Sequence, residues 1–473
     1  MNYSIIINGQ EVGQDLEQLD VTNPATGDLV GTVPKGGKAE ARQATDAAFE
    51  AFKTWSKLSA YERSEKLMAW STLIDEHADE IGELMTREQG KPFEEAKGEV
   101  VYANSFFKWY AEEGKRIYGE MIPATVANKR IFVHKQPVGV VAAITPWNFP
   151  AAMITRKVGP AIASGCTVVI KPANLTPLTA IRMVQLAKEA GIPDGVVNVV
   201  TGDSKEIGQE WLQDMRVRKL TFTGSTEVGK ELMKGSAKTV KKVSLELGGH
   251  APAIVMDDAN FDKAVEQVIA AKYRNAGQTC VCINRLYVHE KIADKFAQAI
   301  AEKSKELKVG NGLEEGVKIG PLINEDAVEK VKKHVQDAKD KGANVLTGGE
   351  SKEGLFYQPT VLMNATDDML CMNDETFGPL LPIATFKTVD EAIERANDTD
   401  FGLAAYVYTS SINTGIYIAE QLEYGIVGLN DGVPSSAQAP FGGFKQSGIG
   451  REGGHYGMDE FLEVKYISLD LAE

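Results

Sequence analysis

Val138-Gly139-Val140-Val141-Ala142-Ala143-Ile144-Thr145-Pro146-Trp147-Asn148-Phe149-Pro150 is the stretch on which the fold of this chain turns. Its apolar, β-branched first half reads as a strand buried on both faces, and Thr145 to Pro150 ends that strand in a turn. A helix-like segment then runs to Ser164, and Gly165 closes it. Thr167-Val168-Val169-Ile170-Lys171-Pro172 is a second strand, followed by a helix ending before Gly191. Val196 to Val200, Leu220 to Phe222 and Val243 to Leu247 continue the alternation. Strands and helices alternating at this spacing predict an α/β fold built on a doubly wound parallel sheet. In such sheets ligands sit outside the carboxyl ends of the strands, where Trp147, Asn148, Lys171, Gly224, Ser225 and Gly248 all fall.

On the C-terminal side a second strand–helix alternation starts at Ala253-Ile254-Val255-Met256 and runs to about residue 430, which predicts a second α/β unit. On the N-terminal side residues 3 to 35 read as short strands and turns, then two helices. The second carries Leu67, Trp70, Leu73, Ile74, Ile81 and Leu84 as one apolar stripe. Residues 92 to 118 hold Tyr102, Phe106, Phe107, Trp109 and Tyr110, a stripe that reads as core. Lys129 to His134 and Phe461 to Ile467 alternate as strands outside both units. They can pair and present an edge to another subunit.

The bulk numbers bound the function. In 473 residues, 43% hydrophobic and 25% charged side chains describe a globular protein of two or three domains. The net charge of −15 argues against a nucleic-acid or anionic-membrane surface, which needs a basic face. Four cysteines (Cys166, Cys280, Cys282, Cys371) are too few for a disulfide scaffold in so long a chain. Met1 to Gly9 lacks the pattern of a secretory signal, and no run reaches the roughly 18 apolar residues of a membrane helix. These features predict a cytoplasmic protein. The six histidines show no ligand spacing, so no metal is expected.

Candidate chemistry centres on Asn275-Ala276-Gly277-Gln278-Thr279-Cys280-Val281-Cys282, which places a cysteine after a turn and before the strand-like run Val281 to Val288. A partly exposed thiol held there by backbone amides suits a nucleophile, although a lone cysteine is also a common packed hydrophobe. Phe222 to Gly229 is a strand end, a glycine turn and a helix start that can offer N–H groups to a phosphate, or serve as an ordinary turn. Lys171 is a fixed cation or a surface lysine. Glu246, before Leu247-Gly248-Gly249, is a desolvated base or a strand-end acid in an ion pair.

Taken in order, Thr145 to Pro150, Phe222 to Gly229, Glu246 to Gly249, Gly277 to Cys280, Glu375 to Pro379 and Pro440 to Gly443 resemble the NAD(P)-dependent aldehyde dehydrogenase superfamily over essentially the whole chain. The resemblance implies a cofactor-binding domain (1–122 and 138–248), a catalytic domain (249–440) and a small β oligomerisation arm (123–137 and 455–473). That arm implies a homodimer or homotetramer. The resemblance implies Cys280 as nucleophile, Asn148 as oxyanion donor and Glu246 as the base that activates water. For the cofactor, NADP or NAD, it implies Trp147, Lys171, Gly224, Ser225, Leu247, Glu375 and Phe377. Asn174 stands where NAD-preferring members often carry Glu. A neutral amide there removes repulsion of a 2′-phosphate, so NADP should be tolerated.

Within the family, Met153 to Lys157, Arg274 and the Cys-Val-Cys sequence are similar to the succinate-semialdehyde dehydrogenases. Arg156, Arg274 and Ser435 match positions that hold the substrate's distal carboxylate; either arginine can instead bridge structural acids. The competing activities are oxidation of small uncharged aldehydes such as lactaldehyde or glycolaldehyde, a cofactor-free thiol hydrolase with a histidine beside Cys280, and a non-catalytic binding or structural role. Cys282 adds a redox expectation. It can resolve a sulfenic acid on Cys280 through a small, strained and easily reduced disulfide, or it is packing.

Overall fold

The computed structural model describes residues 2–471. Residues 1, 472 and 473, at the ends of the first and last expected segments, lie outside the described residues. An eight-stranded sheet holds five parallel strands in the spatial order Val197–Val199, Thr167–Lys171, Val140–Ile144, Val217–Thr223, Lys242–Glu246. In chain order these are third, second, first, fourth and fifth, so the winding reverses between Val140–Ile144 and Val217–Thr223. At such a switch point the two connections leave on opposite faces and a crevice opens at the carboxyl edge. Two antiparallel strands, Ile5–Ile7 and Gly448–Ile449, flank the parallel set, with Gln10–Val12 outside the first.

The helix Ala152–Ser164 is buried on every residue, as its nearly continuous apolar sequence dictates. It lies against the helix Phe93–Glu113, whose Phe106, Phe107 and Tyr110 are fully buried in one cluster with Val158 and Ile162. The aromatic stripe is core. The apolar stripe from Leu67 to Leu84 belongs to two helices rather than one, Ala60–Glu76 and Ala78–Gln89. The break falls at His77, which leaves helical geometry (φ −104, ψ 17) while its ring bonds Glu80 at 2.6 Å.

A second sheet has seven strands in the order Asn344–Thr347, Thr360–Met363, Leu380–Phe386, Ile283–His289, Ala251–Val255, Ala404–Tyr408, Ile426–Leu429. All neighbours are parallel except the first pair. The chain passes from Lys242–Glu246 in the first sheet to Ala251–Val255 in the second through only four residues. The carboxyl edge of one sheet therefore meets the amino edge of the other. Leu462–Asp470 pairs antiparallel with Lys129–Pro137 over nine residues, and Glu120–Ile122 adds a third strand. That small sheet leaves Met121, Val464 and Tyr466 exposed. Among the described residues no helix is long and apolar enough to cross a membrane.

Candidate active site

Where the two sheet edges meet there is a pocket of about 340 Å³. Trp147 and Asn148 reach it from the turn after Val140–Ile144, and Gly224 and Ser225 from the turn after Val217–Thr223. Leu247, Cys280, Glu375 and Phe377 complete the part expected from sequence. Trp147 and Phe377 meet edge to face at 5.6 Å between ring centroids, forming an apolar wall.

The loop that carries Cys280 is tied on several sides. The Gln278 carbonyl accepts from Asn148 Nδ2 at 3.0 Å and from Asn275 Nδ2 at 3.2 Å. The Gln278 side chain accepts the Ile323 N–H at 2.9 Å. Cys280 is half-buried, and desolvation pushes its thiol up to about 12 against the pull of Arg156. The sequence suggested a thiol ready to ionise; here desolvation outweighs the pull of the nearby arginines.

Glu246 is close enough to act electrostatically on that thiol. Burial, then the negative charge of Glu452, raises its carboxyl well above the ordinary range, and Oε2 has no hydrogen-bond partner among the described residues. Glu452 accepts from Lys157 and ion-pairs with Arg156 Nε at 3.0 Å. Lys157 also donates to Thr223 at the end of its strand. Sequence reasoning missed Lys157 and Glu452, which lie 295 residues apart. The available signal was a lysine inside the otherwise mostly apolar helix Ala152–Ser164, where an ammonium needs a buried partner. Lys330 lines the same pocket and was also missed.

Lys171 and Asn174 lie away from this pocket, toward the outer half of the first sheet. Lys171 Nζ donates to the Pro172 carbonyl at 2.9 Å and to Asn174 Oδ1 at 2.7 Å, and burial lowers the ammonium to about 8. Asn174 Nδ2 donates to the Gly202 carbonyl at 2.9 Å. A further cavity of about 900 Å³ opens between the helices Ser204–Gln213 and Thr226–Ser236. Ser225 caps the second of these helices. A Cβ on Gly229 would lie 2.4 Å from Leu247 Cδ2, so glycine is what lets that helix pack on the strand end. A thiol and an amide donor lining one pocket, with the dry Glu246 carboxylate near enough to act on the thiol, suit nucleophilic addition to a carbonyl followed by base-assisted hydrolysis.

Residues 12–467 match the aldehyde dehydrogenase family. The chain belongs to that family. It is 55% identical to a glutarate-semialdehyde dehydrogenase of Pseudomonas putida over 98% of this chain and 97% of that protein. It is 54% identical to an NADP(+) succinate-semialdehyde dehydrogenase of Escherichia coli, again over 98% and 97%. The crystal structure of an NADP-dependent enzyme of Escherichia coli superposes with a TM-score of 0.98 at 54% identity, covering 99% of this chain and 98% of that one. The enzyme is therefore an aldehyde dehydrogenase in fold and class. Among the described residues no histidine is hydrogen-bonded to Cys280, the pairing that the hydrolase alternative needs.

The residues expected to grip a carboxylate separate. Arg274 and Ser435 line one small recess with Val281 and Tyr406. The Arg274 guanidinium makes no ion pair or hydrogen bond among the described residues, and it lies 5.2 Å from the Phe149 ring centroid. Arg156 is buried, stacked 3.8 Å over Phe441 and paired with Glu452, with Nη2 left without a partner.

The geometry around Cys282 also differs from a simple strand. The strand starts at Ile283, not Val281, because the Cys282 N–H turns back to the Thr279 carbonyl at 3.0 Å. The Cys282 thiol is fully buried, 3.2 Å from the Gly277 carbonyl and 3.8 Å from Lys272 Nζ. This placement favours packing over a resolving role.

Proposed function

We propose that the enzyme oxidises succinate semialdehyde to succinate with NADP or NAD, through covalent intermediates on Cys280. Glu246 takes the thiol proton, and Cys280 Sγ adds to the aldehyde carbon to give a thiohemiacetal. Its oxyanion is met by Asn148 Nδ2 and by the Cys280 N–H, which donates to no acceptor among the described residues. The Gln278 carbonyl holds one N–H of the Asn148 amide and leaves the second free for this bond.

The nicotinamide, when bound, supplies the hydride acceptor that converts this adduct to a thioester. Trp147, Leu247 and Phe377 would flank it and Glu375 would hold its ribose. Gly224 and Ser225 at the helix N-terminus would take the pyrophosphate, and Lys171 with Asn174 the adenosine ribose. The fit is supported by the 900 Å³ cavity beyond Ser225 and by Lys171, which has no carboxylate partner in an ion pair among the described residues. Glu246 then removes a proton from the water that hydrolyses the thioester. The charge on Glu452 makes it a stronger base for this step.

The observation that carries the substrate is the unpaired Arg274 guanidinium beside Ser435. A cation left without a partner near the reacting thiol suits an aldehyde with an anionic far end, such as the semialdehydes for which both relatives are named. The two α/β units and the arm are proposed to divide as expected from sequence, with the exposed arm sheet pairing subunits into a homodimer or homotetramer in the cytoplasm. Steady-state kinetics with succinate semialdehyde, glutarate semialdehyde, butanal, lactaldehyde and glycolaldehyde, each with NADP and NAD, test the reading. Succinate semialdehyde should exceed butanal in kcat/KM by at least about 30-fold, the scale of one buried charge contact. Preference for lactaldehyde or glycolaldehyde would replace it with the uncharged-aldehyde activity.

A further inference from the structure

The oxyanion amide and the nucleophile come from different sheets, so some group must fix one against the other. Lys91 lies in the short link between the helices Ala78–Gln89 and Phe93–Glu113 and is 2% exposed. Its Nζ donates to the main-chain carbonyl of Asn148 at 2.8 Å, ion-pairs with Glu99 and sits 4.1 Å from the Phe149 ring centroid. Glu99 in turn accepts the N–H groups of Ala151 (3.0 Å) and Ala152 (3.2 Å), where the helix bearing Arg156 and Lys157 begins.

The Asn148 carbonyl has a second donor, Asn275 Nδ2 at 3.0 Å. Asn275 Oδ1 accepts from Gln89 Nε2 at 3.0 Å, and Gln89 Oε1 accepts the Lys91 N–H at 3.0 Å. The bonds close a ring through Lys91, Gln89, Asn275 and Asn148. That ring grips a strained turn. Asn275 and Ala276 are left-handed (φ 52 and 55), as is Gly277 (φ 74), where a Cβ would lie 2.2 Å from the Gly378 carbonyl. Left-handed geometry is unfavourable for residues with a Cβ, more so for Ala276 than for Asn275, and persists where neighbours hold it.

We propose that Lys91 is a positioning residue. Anchored by Glu99, its ammonium holds the Asn148 peptide against Asn275 and thereby sets the oxyanion donor relative to the Cys280 loop. This rests on the roles given above to Asn148 and Cys280. A purely structural ion pair would tie the two helices together without regard to the Asn148 amide, so the two roles differ in whether Lys91 and Asn148 are coupled.

The test is a double-mutant cycle on the pre-steady-state burst of reduced cofactor, with Lys91→Met, Asn148→Ala and the combined variant at saturating cofactor. Asn148→Ala should slow the burst by about 10²–10³-fold, as for loss of an oxyanion donor. Lys91→Met should slow it by roughly 10- to 100-fold in the wild type, the scale of a small misplacement, and less than about threefold in the Asn148→Ala background. Cofactor Kd should stay within about twofold, since the Lys91 ring lies outside the cofactor contacts. Equal slowing in both backgrounds would overturn the proposal and leave Lys91 a structural residue. An unslowed burst in Asn148→Ala would instead refute the oxyanion role itself. Should Lys91→Met not fold, Glu99→Gln in the same cycle decides: it keeps an acceptor for Ala151 and loosens the ammonium. Coupling to Asn148 supports positioning, and additivity overturns it.

Discussion

Arg156 and Arg274 both lie close enough to Cys280 to pull its thiol down, yet the protein treats them differently. Arg156 is sealed between Phe106 and Phe441 and shares Glu452 with Lys157, so its charge is balanced inside the protein. Arg274 is half-buried, stands beside Ser435 and has no ion-pair partner among the described residues. A fully buried guanidinium without a counter-charge would be costly, whereas a half-buried one can keep water until an anion displaces it. In the function proposed above, the paired cation acts on the reacting groups and the unpaired one is left for the substrate's anionic end.

Breaking this contrast should have its largest effect at Arg274. Arg274→Ala should lose about 2–5 kcal/mol in kcat/KM for succinate semialdehyde and much less for butanal. Arg156→Ala should impair both aldehydes alike, because it disturbs Glu452 and Glu246 rather than a substrate charge. If Arg274→Ala penalised both substrates equally, the distinction between the two arginines would collapse.

A smaller effect concerns pH. Burial and then Glu452 raise Glu246, so the ionised base appears only as pH rises through a pKa above the usual carboxylate range. Thioester hydrolysis should therefore climb with pH along that limb. Glu452→Gln removes the neighbouring negative charge and should move the limb to lower pH, as read from single-turnover deacylation rates across a pH series. A limb that stays in place or moves up would show that Glu452 does not act on Glu246. Glu452 itself is held below its ordinary value despite burial, by Lys157 and Arg156. Its contribution to stability is present above the unfolded carboxylate pKa and is lost as pH falls through the depressed value.

The smallest effect lies at the far end of the cofactor. Asn174 Oδ1 already accepts from Lys171, so a carboxylate there would sit beside the same ammonium. Asn174→Glu should raise KM for NADP by roughly tenfold, the scale of a like-charge contact in well-solvated surroundings, and leave NAD nearly unchanged. Equal KM changes for both cofactors would move the 2′-phosphate away from this side chain.

Legibility in the sequence followed the length and burial of each element. Val140–Ile144 and Thr167–Lys171 are buried on both faces and read as continuous apolar runs, which made the parallel sheet visible. Gly448–Ile449 is an edge strand of two residues whose partner, Lys242–Glu246, lies far back along the chain. No local period reveals it. The same holds within the site. Cys280, Glu246 and Asn148 sit at turns after or before readable strands, whereas the Lys157–Glu452 contact and the Lys91 ring exist only once distant elements pack. Cys282 read as the second residue of an extended pair, but the turn bond to Thr279 put its thiol against Gly277 instead.

The most direct test of the central claim, that Cys280 carries the acyl group and Glu246 releases it, is rapid-quench mass spectrometry of Glu246→Gln mixed with succinate semialdehyde and NADP. The account predicts a burst of reduced cofactor of about one equivalent per subunit, with a matching acyl adduct on the peptide containing Cys280 that decays slowly. Undiminished steady turnover by Glu246→Gln, or a burst with Cys280 unmodified, would contradict it.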